Sequence, residues 1–313
     1  MTAAQITPHS ASRVRLTVLG APLAALRAEP GAPVTCSVEE VAVADDMGYF
    51  GPGSVTWRVL ADPAAGVGGI RALFLQALHP LAMAAVYEHT DFSTAFWPRL
   101  QRTAQYVTTV SFGTCVQADA AAARVRAVHR AIRGVDPVTG GRYAATDPDL
   151  LRWVHVTEVS SFLDAVGRGG LALTGAEADR FLVEQVRAAQ LVGLDDVPTD
   201  RAALIRYFEQ VRPELRSSPL ARRTALWLMA PPLSLRTELT TPARPLWTTV
   251  AGLAFVLLPR WARRLYGLPG LPSTDLTATV VLRGLRTAAL QVPERWRHGP
   301  IVRQALERVR AAL

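Results

Sequence analysis

The residues best suited to chemistry lie between Arg124 and Arg133, where one histidine, His129, stands three residues after Arg126 and four before Arg133. Residues three and four apart share a face of an α-helix. A helix here would set one imidazole between two guanidiniums on a single stripe. Imidazole is a metal ligand, and guanidiniums bind carboxylates through paired hydrogen bonds. The stripe suits a large anionic group whose metal is held by His129. A second polar stripe, Arg99, Arg102 and Thr103, falls within one turn of a segment whose dry face would be Leu100, Tyr106 and Val110. The plainer alternative for both stripes is a wet helix face beside a core histidine.

The other histidines are less well accompanied. His9 and His298 lie in segments that read as exposed, while His89 and His155 sit singly in helical patterns. His79 falls where Pro80 interrupts an apolar run, and a proline inside a helix bends it. No histidine pair has the spacing of a zinc hydrolase, and no G-x-S-x-G elbow or Walker A loop occurs. Gly66 to Gly69 follows no strand, which argues against a dinucleotide site and reads as a flexible joint.

The elements that must carry these residues read as helices throughout. Start signals stand at Ser54, Asp62-Pro63, Pro98, Asp119, Asp147-Pro148, Thr174 with Glu177, Asp200, Ser218-Pro219, Thr241-Pro242, Ser273 to Asp275 and Pro300. Asp119 would cap a helix from Ala120 to Arg133. No alternating strand pattern and no internal repeat is present. The expectation is an all-α protein of roughly ten helices, with a loose leader over 1–45 and a single compact domain over 46–313.

Of 313 residues, half are hydrophobic and 19% charged, so the chain has ample material for a core. Its net charge is +8, and all 34 basic residues are arginine. The arginines are scattered and form no block, which points away from nucleic acid. Two cysteines, Cys36 and Cys115, are too few for a disulfide framework and form no haem-attachment motif. A reducing, cytoplasmic setting follows. No run reaches the ~18 to 20 apolar residues that span a bilayer. Leu246 to Leu258 reads as a core helix. The sharper reading is peripheral membrane contact, with Arg244, Arg260, Arg263 and Arg264 meeting lipid phosphates.

An ordered set of motifs resembles a known family. It runs from Arg71 to His79-Pro80, then His89 to Phe92, Arg99 to Thr103, Val110 to Gly113, Val125 to His129, and Tyr143 to His155. Together these look like the DUF2236 family, which holds the MpaB-type oxygenases and the catalytic domain of the latex-clearing rubber oxygenases. The resemblance covers about residues 50 to 260. It implies a globin-like all-α protein with haem b, His129 as proximal ligand, and Arg126 and Arg133 beside it. It puts Arg99, Arg102 and Thr103 on the distal side, with Arg102 where the rubber oxygenases carry lysine. A guanidinium stays protonated and does not ligate iron as an amine can, so His79 becomes the candidate second ligand. No glutamate matches the rubber oxygenases' catalytic one; Glu88 is the nearest carboxylate.

The resemblance thus implies an oxygenase that takes dioxygen and a hydrophobic, isoprenoid or lipid-like substrate. Two alternatives stand beside it. One is a haem carrier or sensor with both axial positions filled, by His129 and His79. The other is a membrane-associated helical protein without haem.

Overall fold

The computed structural model describes residues 46–89, 92–233 and 240–313; the leader over 1–45, His9 and Cys36 lie outside them. The order is α1 (Val55–Leu60), α2 (Pro63–Gln76), α3 (Pro80–Glu88), α4 (Phe92–Phe112) and α5 (Cys115–Ala131). Then come β1 (Arg133–Val135), β2 (Arg142–Ala144), α6 (Pro148–Gly169), α7 (Gly175–Leu191), α8 (Arg201–Val211) and α9 (Pro219–Met229). The remainder is α10 (Ala243–Val256), α11 (Arg260–Leu265), α12 (Pro272–Leu290), α13 (Glu294–Arg297) and α14 (Pro300–Ala311). The fold is all-α, with fourteen α-helices among the described residues against the roughly ten expected. Short helices such as α11 and α13 lack the length that makes periodicity legible.

Most helix starts follow their capping chemistry. Asp147, Asp200 and Ser218 each accept a first-turn amide, and Thr174 and Glu177 cap reciprocally. Three expected boundaries are corrected. Helix α5 starts at Cys115, because Thr114 and Gln117 form a capping box there, and Asp119 accepts instead from the Tyr49 hydroxyl at 2.7 Å. Pro98 does not begin α4 but lies inside it. Helix α2 begins at Asp62-Pro63, so Gly66 to Gly69 is no joint; it lies within the helix.

The central contact explains those glycines. Helices α2 and α6 cross so closely that a Cβ on Gly68 would lie 2.8 Å from the Ser161 carbonyl oxygen and 3.1 Å from the Ala165 Cβ. Only glycine admits that approach. Arg71, buried at the same crossing, donates to the Leu257 carbonyl at 3.0 Å and the Ser161 hydroxyl at 2.7 Å. Helix α10 packs on α2, and α12 on α6. Trp247, Ala251, Leu253, Ala254, Phe255, Leu257 and Leu258 are buried, so one face of the apolar stretch packs into the core, while Leu246 is exposed. No single described helix is long and apolar enough to cross a membrane. Cys115 is disulfide-bonded, against the reduced thiols expected from the low cysteine count.

Helices α4 and α5, joined by only two residues, form a helical hairpin that meets the body through α1, α7 and α14. After α5 the chain enters the short antiparallel pair β1–β2, where no alternating strand pattern had been legible; Gly134 stands opposite Tyr143.

Candidate functional site

The hairpin brings two polar levels together. At the first, His129 in the last turn of α5 lies near Arg99 of α4. Burial and the Arg99 guanidinium both hold the imidazole below its usual range, so the ring is neutral at neutral pH. Its Nδ1 is buried with no hydrogen-bond partner, while the ring as a whole keeps some accessible surface. Arg99 itself is strongly desolvated, with Arg102 as its cationic neighbour.

At the second level, two turns further along α4, stand Tyr106, Arg126 and Glu158. The Tyr106 hydroxyl is buried without a partner, and burial and the nearby Glu158 push its pKa up. Arg126, one turn before His129, lowers that same pKa by its charge and donates to the Leu191 carbonyl. Glu158 belongs to α6 and is pushed up to about 7 by burial alone; His155, one turn earlier, is pushed down to about 4 by the same cause. Both are set deep among protein atoms yet keep accessible surface.

The expected site residues divide accordingly. Arg99, Arg126 and His129 come together. Thr103 follows Arg99 by one turn and donates to its carbonyl at 3.1 Å; Arg102 is exposed. Arg133 is not on the α5 stripe: the helix ends at Ala131, and Arg133, in β1, turns its guanidinium to the Arg130 carbonyl at 2.9 Å. His79 is also elsewhere. It caps α3, accepting from Ala82 N through Nδ1 at 3.4 Å, while Nε2 faces Glu214 at 3.6 Å. Both nitrogens thus face groups of α3 and of the 212–214 turn. Glu88 is exposed at the end of α3. Tyr106 packs with Val110 against Ala118, Ala122 and Leu191, on the dry face expected of it, while Arg102 and Thr103 are exposed. Sequence reasoning missed Glu158. Its one signal was a lone carboxylate in the run Val156 to Phe162 of an otherwise uncharged helix face.

A metal held by side chains alone needs several ligands, and no group of three or more His, Cys, Asp or Glu among the described residues could hold one. A lone neutral imidazole beside cationic groups fits a metal that brings its other ligands with it, in an anionic frame. That is the donor set of haem b.

The family model described as ER-bound oxygenase mpaB/B'/Rubber oxygenase, catalytic domain matches residues 57–290, well over half the chain. No curated protein and no solved structure matches.

Proposed function

The chain belongs to the mpaB/rubber oxygenase catalytic-domain family, and from that premise we propose that it is a haem b-dependent oxygenase. Its substrates are dioxygen and a hydrophobic, isoprenoid or lipid-like molecule. The observation that carries this reading is His129: a neutral imidazole, one nitrogen buried and unpartnered, with Arg99 beside it. Haem, when bound, supplies the dioxygen-activating chemistry.

His129 would hold the iron of a bound haem. Arg126, fixed at one end by the Leu191 carbonyl, offers its remaining N–H groups to a haem carboxylate. Arg99 holds a desolvated positive charge where negative charge develops on oxygen, a preorganised stabilisation that water would weaken. Arg102 adds charge and no ligand. Thr103 is tied to the α4 backbone and positions rather than reacts. The apolar side chains between the helices would exclude water and seat the substrate.

The bis-histidine carrier gains nothing from this geometry, since His79 is spent on a helix cap and on Glu214. The haem-free membrane reading draws little support from α10, most of whose apolar face is packed in the core, with Leu246 left exposed.

The visible spectrum of the purified protein after haem supplementation tests the assignment. A Soret band is expected, and His129→Ala abolishes it or reduces it to the level of loosely bound haem. A band unchanged in that variant moves the ligand elsewhere.

A further inference from the structure

Helix α12 is apolar on both faces, and only one of them is covered. Its inner face, with Ala278 and Leu282 buried, packs on α6, α2 and α10. Its outer face repeats at every fourth residue, Leu276, Val280, Gly284 and Ala288, all of them exposed. Leu276 stands 69% open and Val280 60%, with Val281 beside them at 46%. Exposed apolar side chains also flank the helix in sequence, Leu268 and Leu271 before it, Val292 and Trp296 after it. Single exposed apolar residues are ordinary, but a helix apolar all round belongs inside a protein or against lipid.

We propose that this outer face of α12 is a docking surface for an anionic lipid bilayer, with the helix lying in the plane of the membrane interface. What selects lipid is the charge at its borders. Arg264 precedes Leu268 in the chain, Arg283 lies on the helix itself, and Arg295 sits over the Trp296 ring at 5.9 Å. All three are exposed, and none forms an ion pair among the described residues; Arg283 donates to the Arg168 carbonyl at 3.1 Å. The carboxylates alongside are taken, Asp275 by Arg260 at 2.6 Å and by Arg263, and Glu294 by Arg310 at 3.5 Å. An apolar strip bordered by unpaired guanidiniums and an amphipathic indole matches acyl chains beneath a layer of phosphates. A second copy of the chain matches it poorly, because the same arginines would meet with no carboxylate free to offset them. The surface is separate from α10 and does not depend on the haem assignment.

Flotation of the full chain with lipid vesicles tests this. The chain is expected to rise with vesicles of mixed phosphatidylcholine and phosphatidylglycerol. Phosphatidylcholine alone should bind at least about tenfold more weakly, and the difference should shrink as salt is raised. Leu276→Ser combined with Val280→Ser, both at exposed positions, should weaken binding to the anionic vesicles at least about tenfold. Arg264→Gln, Arg283→Gln and Arg295→Gln together should erase the preference for anionic lipid. Ile205→Ser, which removes a side chain 58% exposed on α8, is the control and should change nothing. Circular dichroism shows that the variants are folded. A wild-type chain that ignores anionic vesicles overturns the proposal, and so does binding that the double serine variant retains in full. A dimer in sedimentation velocity that the same double substitution dissociates, in a chain that ignores vesicles, assigns the face to a second copy instead.

Discussion

Helix α6 treats polar groups differently on its two sides. Toward α2, Ser161 accepts from the buried Arg71 guanidinium at 2.7 Å, and Gly68 lets the backbones meet with no space between. Away from that crossing, burial pushes the Glu158 carboxyl up to about 7 and the His155 imidazole down to about 4. The first side is finished by folding and the second is not. A protein tolerates unsatisfied groups on one face of a helix when the opposite face is over-determined, and that face then serves as a rigid mount.

The contrast can be broken from the tight side. Gly68→Ala drives a methyl into the Ser161 carbonyl and the Ala165 Cβ, where backbone and not a flexible side chain must yield. We expect a loss of about 1–3 kcal/mol in chemical denaturation, with haem uptake per folded molecule unchanged. It can be sharpened from the open side by a substitution that stabilises. The folded chain keeps the Glu158 proton up to about 7, whereas the unfolded chain releases it near 4.5. Stability is therefore lost as pH rises through that window, and the loss is complete above it. Glu158→Gln removes the penalty, so the variant should melt higher than wild type above about pH 7, with the gap closing below about pH 4.5. The smallest effect belongs to Arg133. Its exposed guanidinium bonds only its own chain, so Arg133→Ala should change stability by less than about 0.5 kcal/mol and leave the Soret band in place.

The two sides of α6 were also unequally legible in the sequence. Capping residues announced α6, α7, α8 and α9 because a cap is a local bargain between a side chain and amides two or three residues on. The α2–α6 crossing was not announced: the glycines that permit it read as a loosened hinge, since sequence shows what glycine allows locally and not which partner presses against it. The proposed site was half visible. His129 with Arg126, and Arg99 one helix earlier, follow from spacing and resemblance. Tyr106 was placed on the dry face, where its ring packs on Val110, but the burial of its hydroxyl without a partner could not be read from spacing. Glu158 was overlooked because its meaning depends on desolvation by helices distant in sequence. His79 misled for the opposite reason, a well-placed imidazole whose two nitrogens were already engaged.

The strand pair that follows α5 gives His129 an unexpected dependence. The histidine sits in the helix's last turn, and terminal turns are where helices open most readily. What stops this turn from fraying is the pairing of Gly134 with Tyr143 just beyond it, so tight that any Cβ at Gly134 would meet the phenol oxygen at 2.5 Å. Under the proposed haem assignment, the residence time of the prosthetic group would be tied to a latch beyond the helix, governed by how often three rungs of backbone come apart.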